Sequence, residues 1–273
     1  MADDSLRFVQ VGELVKDISE GTLPADDALA GRSLSLHAED ATVTALSFAQ
    51  GGRLAWEVTG GPRTGETGEE TCHITRPRED VAVVDYVAST RRATAVTIVF
   101  DLARGAATTV VGTLPTADQA ARGAYVLATE GAELTLVAAG IVPAVIDGPF
   151  VPGAHPHAPT DDLVGRRVQY VYSQTEAYEH IYLSQDLYTW HCLRGAERGL
   201  ADTDRCHYRK VGEELYLFVW REKVVPTLGV VLVDWRAKRS NGRLFGYEGS
   251  DFGALSTTPI SARATLLNET TYA

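Results

Sequence analysis

The stretch Gly165-Arg-Arg-Val-Gln-Tyr-Val-Tyr-Ser173 opens on the same Gly-Arg pair as Gly31-Arg-Ser-Leu-Ser-Leu-His37, which begins 134 residues earlier. Four further anchors recur at this offset, with Trp, Cys and His among them. They are Trp56 and Trp190, Gly61 and Gly195, Cys72-His73 and Cys206-His207, and Gly112 and Gly246. Because these anchors share one offset, the chain is interpreted as a tandem duplication of one fold.

Composition restricts the class of protein. The chain has 273 residues and a mass of 29.4 kDa, so each copy of about 130 residues is large enough for its own core. A net charge of -11 and a pI near 5.1 argue against nucleic-acid binding and against a polybasic membrane surface. We expect no membrane span and no signal peptide, hence a cytoplasmic protein. The three cysteines, Cys72, Cys192 and Cys206, are expected to be free thiols.

Short apolar runs separated by polar or glycine-containing breaks predict an all-β protein. Connections of a few residues favour antiparallel neighbours, and about eight strands in each copy suit an up-and-down barrel. The predicted strands of the first copy are residues 33–37, 42–48, 53–59, 71–75, 81–88, 94–100 and 108–113, followed by 125–129 and 133–137. Those of the second copy are residues 168–173, 177–183, 187–193, 205–211, 214–221, 227–233 and 241–247, with a last run at about 260–267.

The predicted domain organisation has four parts. Residues 1–30 form an N-terminal segment, in which residues 9–20 are expected to be a short helix that plugs or covers the first barrel. Residues 31–148 form the first barrel and residues 163–273 the second. Residues 149–162 are proline-rich and are expected to be a linker, in which His155-Pro-His157 is solvated.

Four stretches of the chain resemble the molybdenum cofactor biosynthesis protein F (MoaF) family. They are Glu70-Thr-Cys-His-Ile-Thr-Arg-Pro-Arg78, Tyr170-Val-Tyr-Ser173, Tyr178-Glu-His-Ile-Tyr182 and Tyr188-Thr-Trp-His-Cys-Leu-Arg-Gly195. The resemblance runs from about Gly31 to Thr270 and implies two tandem lipocalin-like (calycin) antiparallel β-barrels. It implies an association with a biosynthetic pathway and no particular reaction.

The second copy also resembles, more distantly, the bacterial phenolic acid decarboxylases. In that family a Tyr-x-Tyr pair holds the substrate carboxylate with the help of an Arg and a Glu. Tyr170 and Tyr172 match the pair, but the Arg position falls near His191 and the Glu position near Arg205. This sequence therefore departs from the family at both charged positions.

The faces of the predicted strands place the candidate site in the second barrel. Alternate residues of a strand share a face, so Tyr178, His180 and Tyr182 project together. At the same positions the first copy has Thr44, Leu46 and Phe48, a mainly apolar set typical of an interior. We therefore expect the Tyr and His side chains to point into the second barrel and to bind a ligand. The first barrel is expected to be structural and packed solid.

Roles follow from the chemistry of these side chains. His180 is predicted to be the acid or base, because it is the inward group that titrates near neutrality. Tyr170 and Tyr172 are predicted to be catalytic with it, and the ligand-binding residues are predicted to be Tyr178, Tyr182, Tyr188 and Trp190. Each of these residues also has a structural interpretation, a core tyrosine with a satisfied hydroxyl or a core histidine. His191 alternates with Trp190 and is expected to face the other way.

No metal or cofactor is predicted. Cys72-His73 and Cys206-His207 are adjacent strand residues, which point to opposite faces and cannot easily bind one ion. The Asp residues at 101 and 234 are expected at turns.

Two classes of function remain. One is a cofactor-independent lyase, isomerase or cyclase that acts on a small conjugated or aromatic substrate. The other is a carrier or accessory protein in a pathway such as molybdenum cofactor biosynthesis. The expected partner is a small molecule, and the sequence leaves a homo-oligomer open.

Overall fold

Antiparallel strands make up nearly all of the regular structure in the computed structural model, which describes residues 7–153 and 155–271. The chain divides into two units. The first-barrel unit comprises Leu23–Thr113 and Ala139–Ala158, and the second-barrel unit comprises Met1–Thr22, Leu114–Ala138 and Pro159–Ala273. Runs of β-branched and aromatic residues joined by short turns explain the antiparallel pairing. The predicted all-β fold with two tandem barrels is confirmed.

The first barrel is a curled sheet of nine strands. They are β1 (Ser33–Ala38), β2 (Val43–Ala49), β3 (Arg53–Gly60), β4 (Thr67–Thr71), β5 (His73–Arg78), β6 (Val81–Val87), β7 (Thr94–Asp101), β8 (Ala106–Thr113) and β9 (Ala138–Ile146). Their order in the sheet is β4-β3-β2-β1-β9-β8-β7-β6-β5. Only Cys72 separates the edge strands β4 and β5 along the chain, and its N–H donates to the carbonyl of Gly52 at 2.7 Å. The two edges of the sheet therefore meet at Cys72.

The second barrel is closed and has eight strands. They are β10 (Arg166–Val171), β11 (Ala177–Tyr182), β12 (Leu187–Arg194), β13 (Ala201–Gly212), β14 (Leu215–Arg221), β15 (Leu228–Asp234), β16 (Arg239–Tyr247) and β17 (Leu255–Glu269). Strand β13 pairs with β12 through residues 201–205 and with β14 through residues 205–212. It is the counterpart of β4 and β5 joined into one strand, with Cys206 at the position of Cys72.

The repeated tryptophans occupy equivalent positions. Trp56 faces Leu46 across the β2–β3 ladder, and Trp190 faces His180 across the β11–β12 ladder. Trp56 Nε1 donates to Glu70 Oε1 at 3.3 Å, and Trp190 Nε1 donates to an oxygen of Asp204 at 3.0 Å. Residues 70 and 204 are themselves 134 positions apart, so the same bond occurs in both copies. This agrees with one duplicated fold.

Removal of the Glu70 carboxylate should destabilise the first barrel. Its second oxygen accepts the backbone N–H of Ser89 at 2.9 Å, so Glu70→Ala leaves two donors without an acceptor. Both donors are only partly buried, so water can replace part of each lost bond, and we expect the free energy of unfolding in urea to fall by about 1–2 kcal/mol. Glu69→Ala is the matched control, since the Glu69 side chain is 80% exposed. Equal stability of the two variants would show that the hydrogen bonds to the Glu70 carboxylate do not stabilise the first barrel.

The predicted N-terminal helix forms, but it lies against the other barrel. Helix α1 (Val11–Ile18) begins after Gln10 and belongs to the second-barrel unit, not to the first barrel as predicted. Two glycines allow α1 to lie at this position. A Cβ on Gly12 would lie 2.7 Å from the backbone of Glu248, which is too close for a side chain. A Cβ on Gly246 would lie 2.4 Å from the Val11 side chain. The backbone of α1 can therefore approach β16 closely.

Residues 125–129 and 133–137 are not strands, which corrects the prediction. Helices α2 (Ala117–Ala120) and α3 (Ala124–Thr129) occupy this region, and both belong to the second-barrel unit. Thr116 caps α2 and Gly123 precedes α3. Glycine and a capping threonine favour helix starts more than strand continuation.

The two histidines of the segment predicted as a solvated linker pack into the first barrel. His157 is fully buried, and its Nδ1 lies 2.8 Å from Thr108 Oγ1. Burial lowers the pKa of His157 to about 4, so the ring is neutral near pH 7. His155 is partly buried, with Nε2 3.1 Å and 3.0 Å from the carbonyl oxygens of Ala107 and Ala144. His155-Pro-His157 is therefore part of the first barrel.

The sequence predicts a first barrel that is packed solid, and this prediction is wrong. It contains a cavity of about 140 Å³ between its largely aliphatic walls. The core of the second barrel is instead rich in aromatic side chains and encloses a smaller cavity of about 50 Å³.

Candidate functional site

His180 lies at the centre of the second barrel. It is 5% exposed and is surrounded by the rings of Tyr170 and Tyr188, whose centroids lie 4.7 Å and 5.2 Å away, and by Phe218 and Trp220 at 5.9 Å and 6.1 Å. Its Nδ1 is buried and makes no hydrogen bond. A buried polar atom without a partner is uncommon and calls for an explanation.

Burial also determines the charge of His180. Desolvation lowers its pKa to about 3, so the imidazole is neutral at physiological pH. A neutral imidazole has one nitrogen that accepts and one that donates a hydrogen bond. The neutral ring can therefore accept a hydrogen bond from a bound molecule through one nitrogen and donate one through the other.

The cavity of about 50 Å³ lies beside His180, and the N-terminal segment forms one side of it. Val9, Leu14 and Ile18 form the apolar side of the cavity. Mainly aromatic, polar and acidic side chains form the rest, together with Leu244. They are Tyr172, Tyr178, His180, Trp190, Glu197, Trp220, Glu222, Thr227 and Leu244.

Two carboxyl groups line this cavity. Glu197 accepts the N–H of Val9 at 3.0 Å and the hydroxyl of Tyr178 at 3.1 Å. Glu222 accepts Trp220 Nε1 at 2.9 Å. Desolvation raises the pKa of both groups, and that of Glu222 lies well above its usual 4.5 because the carboxylates of Asp204 and Glu197 add to the effect. Glu222 is therefore disposed to remain a neutral acid that can donate a proton.

The structure divides the predicted site residues into two groups. Tyr172, Tyr178 and Trp190 line the cavity together with His180. Tyr170, Tyr182 and Tyr188 do not line it, although all three are buried and point inward. The hydroxyls of Tyr170 and Tyr182 lie 2.6 Å apart, and burial raises the pKa of both.

Glu197 and Glu222 are functional candidates that the sequence analysis missed. The duplication contains the signal, because position 197 corresponds to Arg63 and position 222 to Ala88. A change from alanine to glutamate at an inward position marks a polar site. Both residues follow the ends of their predicted strands, where the alternation of faces no longer applies.

The two positions taken from the decarboxylase resemblance lie outside the cavity. The His191 side chain is 42% exposed, and its Nδ1 lies 3.5 Å from Glu179. Arg205 Nε lies 3.5 Å from Glu133. Of the side chains that the structure describes, no lysine or arginine lines the cavity. The cation that would hold a carboxylate is thus not reproduced.

The described residues offer neither a metal site nor a helix that could span a membrane. Across residues 7–153 and 155–271, no three His, Cys, Asp or Glu side chains are grouped in a way that could hold a metal ion. Cys72 is buried while the adjacent His73 is exposed. None of the helices described is sufficiently long and apolar to cross a membrane.

Comparisons with known proteins agree with the duplication. Residues 6–116 match the MoaF N-terminal domain, and residues 157–270 match the MoaF C-terminal domain. The chain is 41% identical to "Protein MoaF" of Klebsiella aerogenes over 266 residues, which is 96% of each chain. A solved structure from Burkholderia vietnamiensis, titled as a candidate beta-lactamase, is 15% identical, covers 45% of this chain and 95% of its own, and has a TM-score of 0.32. That likeness supports no argument about activity. With both domains matched and one relative similar along nearly its whole length, the chain belongs to the MoaF family.

Proposed function

We propose that the second barrel is a cofactor-independent enzyme that moves a proton within a small, uncharged, conjugated or aromatic substrate. The observation that supports this most strongly is the buried Nδ1 of His180, which has no protein partner and belongs to a residue that lines a cavity. Glu222 in the same wall supplies a neutral acid. A base and an acid with opposed pKa shifts are a recurring arrangement in acid-base catalysis.

The proposed reaction begins at His180. Its unprotonated nitrogen removes a proton from a carbon or oxygen of the substrate, and the electron pair moves toward a carbonyl oxygen. Glu222 donates a proton to that oxygen or to a leaving group. The imidazolium and carboxylate that result neutralise each other, which offsets the cost of charging His180 in a buried site. Proton return completes an isomerisation, and loss of the leaving group completes an elimination.

The lining of the cavity argues for an uncharged substrate, because none of the described side chains in it is a lysine or an arginine that could pair with an anion. Glu197 and Glu222 both line it, and a carboxylate substrate would meet two carboxyl groups. Tyr172 and Tyr178 can donate hydrogen bonds to a carbonyl, while Trp190 and Trp220 offer flat apolar walls for a conjugated system.

Substrate entry requires the N-terminal segment to move. A cavity of about 50 Å³ holds only a few waters, since each needs roughly 10–15 Å³ of this space. The segment is held by the bond from Val9 to Glu197 and by the edge of Phe8 against Trp190 at 5.9 Å. Val11 and Ile18 are also buried in the core of the second barrel, so displacement of the segment has to expose these side chains.

Exchange of a carbon-bound proton tests the proposal. Phenylacetone, an uncharged aryl ketone, is incubated with the protein in D₂O, and loss of its α-proton signal is followed by NMR. We expect exchange faster than in buffer, and no acceleration for phenylacetate, which carries a charge. Binding of phenylacetone without exchange would favour a carrier, the second candidate, which the apolar cover of Val9, Leu14 and Ile18 also suits.

A further inference from the structure

The first barrel contains a cavity that is larger than the one beside His180 and that the proposed reaction does not use. The cavity has a volume of about 140 Å³, and its deep wall is apolar and includes Leu46, Trp56 and Val58. Leu46 is 2% exposed and Val58 is 1% exposed. An engineered apolar cavity of roughly 150 Å³ binds benzene, so a cavity of this size can hold one six-membered ring.

The cavity is the counterpart of the one beside His180. Five positions of its wall recur in the wall of the second cavity at the offset of 134 residues. They are Ala38, Thr44, Leu46, Trp56 and Ala88, which correspond to Tyr172, Tyr178, His180, Trp190 and Glu222. Where the second copy has Tyr172 and Glu222, the first has Ala38 and Ala88. Smaller side chains at these positions account for the larger volume.

Charge is reversed between the two cavities. The first has Arg63 where the second has Glu197, and Arg91 also lines the first. Both guanidinium groups lie near the same carboxylate, since Glu66 Oε2 is 3.2 Å from Arg63 and 3.4 Å from Arg91. Asp40 lines the cavity too, with Oδ1 accepting the N–H of Thr42 at 2.9 Å. Two cations and one anion therefore border the apolar interior.

We propose that the first barrel binds a small monocarboxylate with a compact apolar body, such as a single aromatic ring. The ring occupies the space between Leu46, Trp56 and Val58. The ligand carboxylate takes the place of Glu66 as the acceptor of Arg63 and Arg91. Guanidinium groups present several N–H donors in a plane, which suits a carboxylate. The duplicated chain thus has two sites that differ in charge preference, one for an anion and one for an uncharged molecule.

Calorimetric titration of the full chain with sodium benzoate tests this site, with benzamide as the uncharged probe. Arg63→Gln and Arg91→Gln should each weaken benzoate binding about tenfold, because partly exposed charge pairs contribute modestly. Glu66→Gln should strengthen it severalfold, because it removes the competing carboxylate. Arg53→Gln is the matched control, since Arg53 is an exposed arginine of the same barrel that does not line the cavity.

A cavity-filling variant locates the bound ring. Thr44→Tyr introduces the residue that the second copy has at this position, Tyr178, and should abolish benzoate binding while circular dichroism stays unchanged. His180→Leu should leave benzoate binding intact, which separates this site from the second barrel. Benzoate affinity unchanged in Arg63→Gln and Arg91→Gln, equal affinity for benzamide, or no benzoate binding by the unaltered chain would each overturn the proposal.

Discussion

Replacement of His180 by leucine is expected to slow α-proton exchange of phenylacetone by about 10²- to 10⁴-fold. A positioned proton-transfer group contributes roughly this much to a rate. Leucine is the matched substitution, because Leu46 occupies the equivalent position in the first barrel. Exchange rates measured by NMR at saturating phenylacetone, with the unaltered chain in parallel, give the comparison.

Stability of the same variant separates a catalytic role from a structural one. His180 Nδ1 makes no hydrogen bond, so leucine removes no bond at that atom. The folded-state pKa of about 3 lies below the usual 6.5, so folding favours the neutral ring. The unaltered chain should therefore lose stability as the pH falls from about 6.5 toward 3, by about 1.4 kcal/mol for each unit of pKa difference. His180→Leu should lack the part of this loss that comes from His180, while the part that comes from His157, whose pKa burial lowers to about 4, should remain. Unchanged exchange in a folded His180→Leu protein would exclude His180 as the base.

Replacement of Glu222 by glutamine is expected to lower the exchange rate by a similar factor, about 10²- to 10⁴-fold. Glutamine keeps an oxygen that can accept Trp220 Nε1 but cannot donate a carboxylic proton. Tyr170→Phe, which alters a buried ring outside the cavity, and Glu213→Gln, which alters an exposed residue with an 81% exposed side chain, are the controls. Both should retain most of the exchange activity.

The pH profile gives a second measure of the acid. Burial and the neighbouring carboxylates raise the pKa of Glu222 above 4.5, so the acid is active below its folded-state pKa and activity falls as the pH rises through it. The acidic limb should lie near pH 3, where His180 becomes charged. Glu222→Gln should lose the alkaline limb and keep the acidic one. Retention of the alkaline limb in Glu222→Gln would assign it to another group.

Much of the candidate site could be predicted from the difference between the copies. The first copy has Leu46 where the second has His180, and this difference in sequence identifies an inward polar residue. The same comparison at position 88 would have found Glu222, but that position lies just beyond a strand. Tyr170 and Tyr182 were predicted to belong to the site but do not line the cavity. Alternation correctly turns their side chains inward, but it cannot distinguish a tyrosine that faces a cavity from one that is packed beneath it.

By itself, the sequence determined the duplication, the all-β fold, the family and the barrel in which His180 lies, because strand alternation and repeat anchors are local signals. Only the tertiary structure decided that α1 covers the second barrel and that His157 is buried in the first. Those positions depend on close approaches at Gly12 and Gly246 and on contacts between distant segments. Cavity volume also depends on how side chains from all the strands fill one space. The pattern of any single strand does not contain that information.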